Sequence, residues 1–355
     1  KLGRATVQAR LDGTFGRDEL TVETDAGLSL LEFNDYAYGG IVLDGTVRNR
    51  MFRGLIRSDD PNLQFDFDGL LDFNDTVPRY DFDLRMHMAD LHALNFNRRD
   101  SISVVQGRLT AHAGGSSLDD VNGEAVIRDL LYVNPVDSVR TGEIRLVGEN
   151  GPDSKSLAWY SPFADVTFRG RSSYDRMFGY FTNTLRYYLP TLSAGKRRTD
   201  LFPDRDGATN VDDYYVVKLD VKQANNVAGI FLPGLQLAEG TKLSFLFNPQ
   251  AEQFSLSLNS DYIERGDFFV SGLSVNSRNQ GDSISLYVGA EDLFAGGFYM
   301  PDFSVIGGAK QNRVNLGARF SDPEQGTSAL LGVVLALERD SLSGRPRVRI
   351  RFTPS

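Results

Sequence analysis

The sequence predicts an all-β protein: an elongated β-sheet curled lengthwise into a groove, a β-taco, with one or two short amphipathic helices. Three observations point there. Apolar and polar residues alternate with a period of two, the spacing at which successive side chains of a strand face opposite ways. Turn-forming clusters separate the alternating runs. Thirty-five glycines and only 13 prolines, spread over 355 residues without a strict period, fit many short strands and exclude a collagen-like repeat.

Taken along the chain, Val7, Ala9 and Leu11 open the series of strands. Leu63-Gln64-Phe65-Asp66-Phe67-Asp68 puts its apolar side chains on one face, and Tyr80-Asp81-Phe82-Asp83-Leu84-Arg85-Met86-His87-Met88 repeats this over nine residues. Val166/Phe168, Val217/Leu219/Val221, Phe254/Leu256/Leu258, Ile284/Leu286/Val288, Val314/Leu316/Ala318/Phe320 and Val348/Ile350/Phe352 follow. Asp12-Gly13, Asp59-Asp60-Pro61-Asn62, Asn150-Gly151-Pro152 and the polar run Asn276–Gly281 read as turns between them.

One stretch departs from this period. Tyr174, Phe178, Phe181, Leu185 and Leu189 recur at three- and four-residue steps, with Ser173 as N-cap and Pro190 just past the end, which predicts an amphipathic helix. A second, shorter helix is expected from Gln223 to Phe231. The polar stretch Ser193–Asp213 reads as a linker. The expected organisation is a β-groove segment over 1–172, helix and acidic linker over 173–213, and a second β-groove segment over 214–355.

Roughly two dozen strands cannot form one flat sheet, because twist makes large open sheets curl or split. Stacked in sequence ~4.8 Å apart, half of them already give roughly 60 Å of length. One face of such a sheet is apolar and must be covered, by packed side chains or by a lipid. The pattern alone does not separate a filled core from an open trough. In the trough, the residues lining it are Leu63, Phe65, Phe67, Tyr80, Phe82, Leu84, Met86, Met88, Val217, Leu219, Phe245, Phe247, Phe254, Leu256, Leu258, Leu286 and Leu316.

Composition narrows the function. The net charge is −9, and no basic cluster aligns with aromatics, so no nucleic-acid partner is expected. Without cysteine there is no disulfide, thiolate zinc site or cysteine nucleophile. The longest apolar stretches, Val227–Ala238 and Ala329–Leu337, fall far short of the ~20 residues of a membrane-spanning helix. Lys1 follows no initiator methionine, so the chain reads as a segment of a longer protein.

Chemistry-bearing groups are few. His87, His92 and His112 are too scattered for a metal site or a catalytic triad. Asp66, Asp68, Asp81 and Asp83 fall on the wet face, where nothing raises a carboxyl pKa for acid catalysis. Asp204, Asp206 and Asp213 match ligand positions of a calcium loop around Gly207, but Phe202 stands where its first carboxylate belongs. Arg345, Arg347, Arg349 and Arg351 line one face of the last strand, to pair with acids, to discourage edge association, or to meet lipid phosphates. No enzyme, metal or cofactor is expected.

A resemblance covers nearly the whole chain. Phe52-Arg53-Gly54-Leu55, Asp60-Pro61-Asn62-Leu63-Gln64-Phe65-Asp66-Phe67-Asp68-Gly69, Tyr80-Asp81-Phe82, Ala89-Asp90-Leu91 and Leu118-Asp119-Asp120-Val121-Asn122-Gly123 resemble the TamB family of translocation and assembly module proteins, in its Bacteroidota form. The Tyr174-to-Pro190 segment and Phe231-Leu232-Pro233 do so as well. The resemblance implies an AsmA-like periplasmic groove lined by apolar residues, in a full-length protein anchored in the inner membrane. It also implies phospholipid acyl chains and a TamA-like outer-membrane barrel as partners, with roles in phospholipid transport between the membranes and in outer-membrane assembly. A scaffold that pairs its sheet edges with incoming outer-membrane strands is the alternative.

Overall fold

The computed structural model describes residues 2–15, 20–171, 173–174, 214–248, 253–280, 283–322, 326–339 and 346–353. The protein is nearly all β: 72% strand and 3% helix, all of the strand pairings antiparallel. Contacts divide the chain into two units, Lys1–Asn150 with Leu157–Pro162 and Gly151–Ser156 with Phe163–Ser355.

The first unit runs through β1 (Leu2–Phe15), β2 (Leu20–Phe33), β3 (Tyr36–Tyr38), β4 (Ile41–Arg48), β5 (Met51–Asp60), β6 (Leu63–Asp72), β7 (Arg79–Asp90), β8 (Val104–Gly114), β9 (Asn122–Val133), β10 (Ser138–Arg140) and β11 (Ile144–Asn150). β12 (Lys155–Tyr160) straddles the division. The second unit holds β13 (Ala164–Gly170), β14 (Tyr215–Val221), the helix α1 (Asn225–Phe231), β15 (Leu235–Leu237), β16 (Lys242–Asn248), β17 (Gln253–Arg265), β18 (Phe268–Gln280), β19 (Ser283–Ala295), β20 (Phe298–Lys310), β21 (Arg313–Asp322), β22 (Thr327–Arg339) and β23 (Pro346–Thr353).

Within each unit the sheet is a meander in which strands pair with their neighbours in the chain. Tight turns make this possible: Asn34 and Asp35 at φ 52° and 61°, and Gly296 and Gly297 at 57° and 81°, supply the two positive angles that a two-residue hairpin needs. Three long strands, β2, β9 and β17, are each matched by two shorter ones (β3 and β4, β10 and β11, β15 and β16), the chain stepping aside between the two halves. Neither unit closes into a barrel; among the described residues β1 pairs only with β2, and β23 only with β22. Each unit is thus an open antiparallel sheet, as the alternation calls for.

Two of the expected turns are strand instead. Asp12 and Gly13 sit inside β1, opposite Glu23 and Val22, and Asn276–Gln280 belongs to β18, with Ser277 buried opposite Leu286 and Leu256. Ladder hydrogen bonds on the flanking strands outweigh local turn preference there. The shorter helix begins at Asn225, two residues later than expected. The longer one lies outside the described residues beyond Ser173 and Tyr174, as do the 193–213 linker, the calcium-like loop and Arg345.

The tightest packing in the first unit surrounds Tyr38, Ile41, Ala89 and Leu94, flanked by Leu28, Leu43, Ile56, Leu63 and Met86. Beside it lies a buried carboxylate. Asp60, 2% exposed, accepts hydrogen bonds from the Tyr36 hydroxyl at 2.6 Å and from the amides of Gly39 and Asn62, both at 2.9 Å. The Tyr36 phenol is itself pushed above its ordinary pKa, by burial first and then by that bond. Asp60→Ala therefore strands several donors, and is expected to cost about 3 kcal/mol in urea unfolding; an unchanged midpoint would remove Asp60 from the stabilising network.

Candidate functional site

The site is a face, built one residue per strand. In the first unit the register aligns Ala26, Leu43, Ile56, Phe67, Leu84, Leu109, Ile127 and Ile144 in a single row across β2, β4, β5, β6, β7, β8, β9 and β11. Every member is apolar. In the second unit Val166, Leu219, Leu243, Leu258, Val275, Val288, Val305, Ala318 and Leu331 form such a row across nine strands. Next to it runs Phe168, Val217, Phe245, Leu256, Ser277, Leu286, Gly307, Leu316, Val333 and Phe352. At ~4.8 Å per strand these rows run roughly 34 Å in the first unit and roughly 40 Å in the second. One leaflet's acyl tail spans roughly 15 Å, half of a ~30 Å hydrocarbon core.

Burial along the face is partial. Of the seventeen residues expected to line the trough, Phe67, Phe247 and Phe254 are buried, and all the others are half-buried. Aromatic rings meet along the face, Phe67 with Phe82 at 5.1 Å and Phe245 with Phe254 at 5.6 Å. Leu43 and Ile56 of that row pack against the Tyr38–Leu94 cluster, as do Leu63 and Met86, so the cluster covers the first unit's row at β4 and β5.

Met88 is a correction. A bulge between Met86 and Ala89 sets Met88 opposite Gln64, on the other face, and brings Ala89, 4% exposed, opposite Leu63 instead. An inserted residue shifts the period by one, and no alternation of residue types announces it.

The opposite face of the first unit is polar and paired. Asp66 takes His87 Nε2 at 2.8 Å and Arg57 at 3.3 Å. Asp83 takes the Arg108 guanidinium, its Nη2 at 2.6 Å, and the Thr110 hydroxyl at 3.2 Å, while Asp81 takes His112 Nδ1 at 2.7 Å. His92 Nδ1 lies 3.2 Å from the Asn97 carbonyl. Arg53, Asp68, Asp81, Asp83, Thr110 and His112 line an open cavity of about 590 Å³ on this face. The His87 hydrogen bond, then the His87 and Arg57 charges, hold Asp66 below the ordinary carboxylate range. Partial burial pushes Asp83 up, but the Arg108 and Thr110 bonds outweigh it and leave it low as well. Neither group is held protonated as a general acid would be. Among the described residues no three His, Asp or Glu converge to hold a metal ion.

The sign of these shifts sets an acid limit. A carboxyl whose folded pKa is depressed stabilises the fold above its unfolded value near 4, and that stabilisation drains away as pH falls below it. Unfolding midpoints are thus expected to hold from neutrality down to about pH 5 and to drop below pH 4, with Asp66→Asn and Asp83→Asn flattening the drop. Identical acid profiles for the variants would assign the loss elsewhere.

Gly45, Gly54 and Gly69 are the feature that sequence reading missed. They face one another across β4, β5 and β6, closer than any side chain allows. Comparison of the chain with protein-family models, curated proteins and solved structures returned no match.

Proposed function

We propose that this chain is a periplasmic hydrophobic-groove protein that conducts phospholipids between inner and outer membranes and supports outer-membrane assembly, as the TamB resemblance implies. One observation carries the reading: unbroken apolar rows, longer than an acyl tail, most of whose members keep part of their surface uncovered on an open sheet. Each methylene taken from water onto such a surface gains ~0.8 kcal/mol, so binding needs no covalent step. The proposed partners are acyl chains and a TamA-like barrel; the proposed full-length protein is anchored in the inner membrane.

The test is photo-crosslinking in cells from a probe at Leu258 or Leu286, with lipid identified by mass spectrometry. Adducts from these positions, and none from Asn276 on the opposite face, support the groove. Absence of lipid at both positions sinks it. A second reading has one observation behind it: β23 is an edge among the described residues, with Val348, Ile350 and Phe352 54%, 57% and 67% exposed. An edge scaffold for outer-membrane strands would crosslink to protein at Ile350 and not to lipid at Leu258.

A further inference from the structure

The face of β20–β23 that lies opposite the apolar rows carries a second pattern, independent of the groove. Lys310, Arg313, Ala336 and Arg349 align as one cross-strand row, so that three cations stand on neighbouring or next-but-one strands. Arg319, Arg347 and Arg351 lie on the same face, alternating with the apolar side chains of their own strands, and all six cations are exposed. Across β20–β23 this face carries two acids among the described residues, Asp302 at the far end of β20 and Glu338, and Arg349 pairs with Glu338 at 3.0 Å. In a chain of net charge −9, this face is thus locally basic.

Two further properties point to the partner. Gly308, Gly317, Gly332 and Ala336, with Asn315 and Val334, occupy the positions between the cations, so mostly small side chains separate them. Ile306 and Leu330, 63% and 57% exposed, stand within it. A face that joins guanidinium groups to exposed aliphatic side chains across small residues matches a bilayer interface, where phosphates lie above hydrocarbon. It matches a folded acidic protein less well, because such a partner would present relief for pockets to fill.

We infer that this basic face rests on the surface of an anionic phospholipid bilayer, its arginines on the headgroup phosphates and Ile306 and Leu330 in the interface. The patch touches the membrane from outside the groove, so it stands whether or not the groove carries lipid.

Flotation of the full chain with vesicles of phosphatidylglycerol and phosphatidylcholine tests it, with pure phosphatidylcholine vesicles and soluble polyglutamate as comparisons. Binding to the anionic vesicles alone, weakening as salt rises, is expected. Each cation near an anionic surface is worth roughly fivefold, so R313Q/R319Q/R349Q/R351Q is expected to bind several hundredfold more weakly. Ile306→Ser with Leu330→Ser should weaken binding with the salt response kept. Thermal melting checks that these exposed substitutions leave the fold intact. No binding to anionic vesicles, equal binding to phosphatidylcholine, equal binding to polyglutamate, or unchanged binding by a folded quadruple variant each overturns the proposal.

Discussion

Leu258→Arg is expected to abolish phospholipid transfer between donor and acceptor vesicles while the chain stays folded. Leu258 stands in the middle of the second unit's apolar row, between Leu243 and Val275, and is half-buried. That partial exposure leaves an arginine room to extend without dismantling the sheet. An acyl tail passing it, however, would share hydrocarbon with a guanidinium, at about 3 kcal/mol, or roughly a hundredfold in occupancy. Asn276→Arg, on the exposed opposite face, should leave transfer unchanged. If the Leu258→Arg protein melts normally and transfers lipid at the parent rate, tails do not run along this row; Leu258→Ser, with a smaller expected loss, serves if the arginine variant unfolds.

Gly54→Ala should do the reverse, replacing no member of the apolar row and removing the fold beneath it. A Cβ at Gly54 would lie 2.2 Å from the Asp44 carbonyl oxygen and 2.5 Å from Gly45 Cα, at a φ of +154°. At Gly45 it would meet the Arg53 carbonyl oxygen at 2.4 Å, and at Gly69 the Asp81 carbonyl oxygen at 2.4 Å. All of these are backbone atoms that no rotamer change can clear. The expected loss is about 3 kcal/mol, felt first as faster amide exchange in β4, β5 and β6. Gly229→Ala, in the helix with nothing within 4 Å, is the control, and should be neutral or stabilising. Equal melting temperatures for the two variants would show that the glycine row bears no structural constraint.

The apolar row and the glycine contact are written into the sequence to different degrees. Alternation identifies faces, because a strand's geometry writes itself into residue type every second position; Phe65, Phe67, Leu256 and Leu258 are legible for that reason. Which residue stands beside which is decided by ladder hydrogen bonds between strands, so the rows through Phe67 and Leu258 emerge only from the register. Met88 shows the cost of one inserted residue, and Asp12-Gly13 shows turn formers held straight by their neighbours. Asp60 reads as a turn residue, and only the fold around it reveals the tyrosine and amides it holds. Gly54 and Gly69 carry no side chain to betray a purpose; their meaning lies in the distance to the next strand.

The meander has a further consequence for how the molecule is assembled. Since the described strands pair with the strand before them in the chain or with the one before that, a hairpin is satisfied as soon as the preceding ones have formed. Growth can therefore proceed from one end in the order of synthesis, like a ladder gaining rungs. Length becomes a quantity that duplication or loss of hairpins adjusts in steps of roughly 10 Å, with each end product still a complete surface.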